Sequence, residues 1–230
     1  MRVDHLRHLH QVQDQFADTI GRVDPATPVP WCGSWTVHDV VLHLAGVHHW
    51  AAAQARRATV TELAAPTDPE RHYRECAQEL RDTLAEVPPD AVASTLLGEG
   101  PAAFWHRRQL HETLVHLWDI RAAGSEPPPE VGPEVWADTV DEVVTVMQPR
   151  QVDRGRMPRL GSAIELVATD TPRHWRLDSD DDGPAVATVT GPAASLGLLL
   201  WGRLDVTHPS LSTAGDAEVL AAALAQPLTP

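Results

Sequence analysis

The stretch 111–119, HETLVHLWD, places two histidines, a glutamate and an aspartate within nine residues. It differs from the zinc-protease pattern H-E-x-x-H by one residue, and the extra step takes His111 and His116 off a common helical face. Glu112 and His116 stand four apart instead, so on an α-helix their side chains project side by side and could grip one ion. An ordinary surface pair has the same spacing. Leu110, Leu114, Leu117 and Trp118 nevertheless mark this helix as buried over much of its circumference, and a buried carboxylate needs a cation.

Catalytic zinc takes three protein ligands, often two histidines and a glutamate, and keeps a fourth position for water or substrate. The third donor must come from another segment, and His43 is the best placed. It falls mid-helix among Leu42, Leu44 and Val47, where an imidazole is costly to bury without a partner. Asp39, one turn earlier, can orient the His43 ring or cap the helix start. His48, His49 and His111 are left outside the ligand set, since neither His48 nor His49 lies directly above His43 on the helix.

These donors need helices to hold them. Leu6, Leu9, Val12 (or Gln13), Phe16 and Ile20 recur at three- and four-residue steps and predict an amphipathic first helix ending near Gly21. A proline- and glycine-rich loop leads to Thr36-x-x-Asp39, the capping-box spacing. The second helix then runs from about Val37 to Arg57, with Val40, Val41, Leu44, Val47 and Trp50 inward. A third is expected from about Pro69 to Leu84, and a fourth from about Ala103 to Ala123, stopped by Gly124. A fifth, built on Val131, Val135, Trp136, Val140, Val143, Val144 and Met147, is closed by Pro149.

After about Gln151 the texture changes. SAIELVATD, HWRLDSDDDG and PAVATVTG are short β-favouring runs, with DSDDDG read as a solvated loop. A helical PAASLGLLLWGR, a strand-like LSTAG and a last helix from Asp216 to about Ala225 follow. The expected organisation is a helical bundle over 1–150 and a small α+β domain over 151–230.

Composition narrows the function. The chain of 230 residues has 32 acidic against 18 basic residues, a formal charge of −14, which argues against nucleic acid or anionic membranes as partners. No run of 18 apolar residues exists, and the charged N-terminus lacks the apolar core of a signal peptide, so a cytoplasmic location is expected. Cys32 and Cys76, the two cysteines, form no C-x-x-C motif and read as idle thiols; a reaction that needs a thiol would take it from outside.

WTVHDVVLHLAGVHHW resembles the signature W-T-V-x-D-L-x-x-H-L of the mycothiol-dependent maleylpyruvate isomerase family. RRQLHETLVHLWDIRAAG is similar to its second signature, R-x-x-x-H-E-x-x-x-H-x-W-D, and LGLLLWGRLD with LSTAGDAEVL to its C-terminal part. The resemblance implies a DinB-like up-down four-helix bundle, followed by a small α+β domain of sterol-carrier type. It implies a divalent ion, usually zinc, held by His43, Glu112 and His116. It also implies mycothiol as cofactor, and Arg203 as a catalytic residue binding the anionic substrate or the thiol. A solvent-facing salt bridge is the ordinary alternative for Arg203.

The reaction that the resemblance implies is cis–trans isomerisation by thiolate addition to the activated double bond of a small electrophile. Thiol transfer from mycothiol to an electrophile would use the same groups. A non-enzymatic metal or small-ligand binding protein would instead close the ion with a fourth protein ligand such as His111 or His48. A monomer is expected.

Overall fold

The computed structural model describes residues 3–177 and 183–230. Two compact units emerge, Asp4–Glu130 and Val131–Pro230. The DSDDDG loop expectation falls largely on residues outside those described.

The first unit is a four-helix bundle: α1 (His5–Ile20), α2 (Val37–Arg56), α3 (Pro69–Glu86) and α4 (Ala103–Ala123). Three of the four starts have a local cause. Asp4 accepts from Arg7 N–H at the head of α1, and Asp68 from Arg71 N–H at the head of α3, where Pro69 occupies the first turn. Thr36 and Asp39 form the reciprocal capping box of α2. The bundle core is built from Leu9, Val12 and Phe16 of α1, Val40, Val41 and Leu44 of α2, Tyr73 and Leu80 of α3, and Leu110, Leu114 and Leu117 of α4. Burying each leucine contributes about 1.5–3 kcal/mol, and the Phe16 and Tyr73 rings meet at 4.6 Å. Trp50, expected inward, lies at the surface edge-on to the buried Trp105, at 5.0 Å between rings.

Between α3 and α4 the chain forms a hairpin of β1 (Val92–Thr95) and β2 (Gly98–Pro101), which the sequence reading did not anticipate. Gly98 takes φ +102°, a conformation other residues rarely adopt, and so permits the turn. The hairpin is tied to α4 by the Trp105 indole N–H, which donates to Ser94 carbonyl at 2.8 Å.

The second unit begins with α5 (Pro133–Glu142), which runs through a π-turn at Val143–Met147 into α6 (Gln148–Asp153). Pro149 therefore does not close the helix as expected. It sits in the first turn of α6, and the widened turn before it is where the helix absorbs a residue with no N–H to donate. A four-stranded sheet follows, ordered β4-β3-β5-β6, from β3 (Ile164–Ala168), β4 (His174–Leu177), β5 (Ala187–Gly191) and β6 (Ser212–Gly215). The β3–β5 pair is parallel and the outer pairs antiparallel. The helices α7 (Ala193–Leu200) and α8 (Ala217–Leu224) complete the unit.

The division falls at residue 130, not 150. Helix α5 belongs with the sheet because its Trp136 and Thr139 pack against Gly197 of α7, and Asp141 accepts from Arg173 and from the Trp175 indole. A Cβ at Gly197 would meet the Trp136 ring at 3.4 Å, an ordinary contact distance, which shows how closely the two helices pack.

Candidate metal centre

Helices α2 and α4 bring together the three side chains that the spacing singled out. His43 Nε2 lies 3.3 Å from Glu112 Oε1, and His116 Nε2 lies 3.4 Å from the same oxygen. The two imidazole rings meet edge to face with centroids 5.0 Å apart. All three ligating atoms fall within 4.8 Å of one another. Two ligand atoms bound at about 2.05 Å to a tetrahedral ion are themselves about 3.3 Å apart, so these two separations would suit a shared ion.

The donors differ in exposure. His116 has 7% of its side chain exposed, Glu112 15% and His43 33%. The three side chains are walled in on the α4 side and open to solvent beside His43. Trp35 covers part of the His43 ring, centroid to centroid 4.9 Å.

The electrostatics of the centre favour charge. Burial works to raise the Glu112 pKa, but the Arg108 guanidinium at 2.6 Å and the bonds from His116 and His43 outweigh it and hold the carboxyl well below its usual range. Burial likewise opposes protonation of His116, yet its bonds with Asp119, Cys32 and Glu112 keep the imidazole well above the usual histidine value. Both shifts run in the direction that favours a protonated His116 between two carboxylates. A dication replacing that proton meets the same two negative charges.

Two neighbours escaped the sequence reading. Asp119, wholly buried, takes the His116 Nδ1 proton at 3.0 Å and so aims Nε2 at the centre, the carboxylate–histidine–metal arrangement. Its three-residue step from His116 was a legible signal. Cys32, expected to be idle, donates to Asp119 Oδ2 at 3.5 Å; a contact across 87 residues leaves no local trace. Asp39, by contrast, commits Oδ2 to the Thr36 N–H at 2.8 Å and hydroxyl at 2.9 Å, which lowers its pKa and serves the cap.

The remaining histidines lie apart. His48 is fully buried and bonded to Gln109 at 2.8 Å and Gln13 at 3.3 Å, with burial pushing its pKa down to about 4. His111 is buried against the His5 ring, and His49 binds Glu79 at 2.6 Å. Among the described residues, none of the three joins the donor cluster. Cys76 is buried, its thiol pushed up to about 11 by that burial. Arg203 belongs to the second unit, in the turn after α7. It donates to Trp201 carbonyl at 2.7 Å and lies over the Trp201 ring at 5.8 Å.

Comparison with known proteins agrees with this architecture. Residues 6–121 match the mycothiol maleylpyruvate isomerase N-terminal domain, and residues 134–222 match the MDMPI C-terminal domain. The crystal structure of the mycothiol-dependent maleylpyruvate isomerase superposes with a TM-score of 0.67 at 12% identity, over 93% of each chain. A histidine-to-alanine mutant of that isomerase superposes at 0.64 and 13% identity, again over 93% of each. No curated protein matches the sequence significantly. With two successive domains of one family spanning most of its length, the chain belongs to the mycothiol maleylpyruvate isomerase family.

Proposed function

We propose that this chain is a metal-dependent enzyme that uses mycothiol to isomerise a small electrophile carrying an activated double bond, maleylpyruvate being the first candidate. The observation that carries the reading is the convergence of His43, Glu112 and His116 on one point, at separations that suit a zinc-sized ion with an open fourth position. The family to which the chain belongs, and the isomerase whose fold it shares, support the choice of reaction.

When bound, the ion supplies a positive charge that lowers the pKa of a coordinated thiol and leaves it as thiolate at neutral pH. The chain's own residues supply the rest. Asp119 fixes the His116 ring, Arg108 holds the Glu112 carboxylate in place, and the partly exposed edge of His43 marks the side from which a thiol enters. Arg203 is assigned to the anionic end of substrate or thiol. The thiolate adds to the double bond, the resulting single bond rotates, and expulsion of the thiol gives the trans product. A closed, non-enzymatic site would need a fourth protein ligand, and His48 and His111 both have partners elsewhere.

The test is product analysis with maleylpyruvate and purified mycothiol on protein prepared without a histidine tag. The proposal expects fumarylpyruvate with the thiol returned unchanged, and turnover lost in Arg203→Ala with metal content intact. Consumption of one thiol per turnover would instead make the protein a transferase.

A further inference from the structure

His116 faces donors on both of its nitrogens. Its Nε2 side meets Glu112 and His43, while its Nδ1 side meets Asp119 Oδ2 at 3.0 Å. Cys32 Sγ lies 3.5 Å from that same Asp119 oxygen. One ligating atom from each of Cys32, His116 and Asp119 falls within 4.8 Å of the other two, so these residues form a second three-donor cluster. Zinc-type bonds of about 2.3 Å to sulfur and 2.0–2.1 Å to oxygen or nitrogen put tetrahedral sulfur and oxygen ligands about 3.5 Å apart, and nitrogen and oxygen about 3.3 Å apart. The observed 3.5 and 3.0 Å need little adjustment to receive an ion.

The thiol is delivered by rigid local structure. Cys32 ends a short 3₁₀ turn, Pro30–Cys32, whose last N–H bonds to Val29 carbonyl at 3.0 Å. Gly33 then turns the chain away at φ +66°. The Trp31 ring packs edge-on against Trp118, at 4.7 Å, which holds the turn beside the residue preceding Asp119. Asp119 is wholly buried and His116 nearly so, whereas Cys32 is half-buried, so the cluster is enclosed on its helix side and reachable past the sulfur.

We propose that Cys32, His116 and Asp119 form a second seat, for a soft divalent ion such as cadmium, and that the two seats exclude each other through His116. A neutral imidazole has one lone pair to give. With an ion at Nε2, the proton sits on Nδ1 and bonds to Asp119; with an ion at Nδ1, the proton sits on Nε2 and bonds to Glu112, 3.4 Å away. The Cys32 thiol and the protonated His116 ring each lose one proton to solvent when they ligate, and no electrons move. Thiolate selects soft ions, while the His43–Glu112–His116 set offers only nitrogen and oxygen and suits harder or borderline ones. A soft ion would therefore withdraw His116 from the first seat. This concerns which ion His116 holds and stands apart from the reaction proposed above.

The test titrates metal-free protein with Cd²⁺ alone, following the ultraviolet thiolate-to-metal charge-transfer band, and then repeats the titration in the presence of Zn²⁺. The wild type should develop a band that saturates at one cadmium per chain and is suppressed competitively by zinc. His43→Ala should keep the band and lose the zinc competition. Cys32→Ser should lose the band while retaining the wild-type zinc content, which shows an intact fold and an intact first seat. Cadmium binding without the band, a band that survives in Cys32→Ser, or cadmium and zinc bound together would each overturn the proposal. Zinc content of the wild type and of Cys32→Ser reads the first seat separately, so failure of one assignment is distinguishable from failure of the other.

Discussion

Helices α3 and α4 each carry an arginine and a glutamate four residues apart, and the two pairs have opposite meanings. On α3, Arg71 and Glu75 are 68% and 67% exposed at 3.8 Å, on a helix that buries six of its eighteen residues along one stripe. On α4, Arg108 and Glu112 are 4% and 15% exposed at 2.6 Å, on a helix that buries fourteen of twenty-one, eight of them polar or charged. Water can solvate the first pair whether or not it forms. The second is desolvated, and its charges must find partners within the protein. Polar residues buried around a whole helical circumference are costly for stability alone, which is why α4 reads as the helix built for chemistry.

Substitutions can break this comparison. Replacing Glu112 with Gln takes a carboxylate away from a buried guanidinium, and we expect a loss of about 3 kcal/mol, read by urea unfolding of metal-free protein; a loss near that of an exposed pair would remove the distinction. His48, also buried against α4, gives an effect of similar size with a defined pH window. Its folded pKa of about 4 lies below the ordinary 6.5, so the unfolded chain takes up a proton first as pH falls. The stability involved is fully present above pH 6.5 and is lost as pH drops towards 4, about 3 kcal/mol in all. His48→Gln should flatten that part of the acid limb, and an unchanged limb would refute the assignment.

Asp119→Asn should weaken metal binding by roughly 10- to 100-fold, as loss of a ligand-orienting carboxylate does, with near-wild-type circular dichroism; unaltered affinity would show that the His116 ring needs no such support. The smallest effect belongs to the exposed pair. Glu75→Gln on α3 should change stability by no more than about 0.5 kcal/mol, and a larger loss would mean that exposure is a poor guide here.

The bundle was legible in sequence because its signals are local. Capping residues at Asp4, Thr36 and Asp68 and apolar steps of three and four fix where helices start and which face turns inward. The meeting of His43 with Glu112 and His116 was legible through the chemistry of the residues, since an imidazole and a carboxylate on buried faces each require a partner. Cys32 was not, because its approach to Asp119 depends on how a proline-rich turn folds back onto α4. The boundary was misplaced for a related reason. Val135, Trp136 and Val140 show that α5 has a buried face, but not that the face is covered by α7 of the C-terminal unit. The hairpin at 92–101 carried a glycine signal at Gly98, though too little apolar alternation to read as strands.

The central claim is that α2 and α4 converge on a divalent ion through His116. Elemental analysis of untagged wild-type protein and of His116→Ala, each with its circular dichroism recorded, tests it most directly. The account predicts about one zinc-type ion per chain in the wild type and essentially none in a variant that keeps its helical content. A His116→Ala protein that is folded and carries the full complement of metal would contradict it.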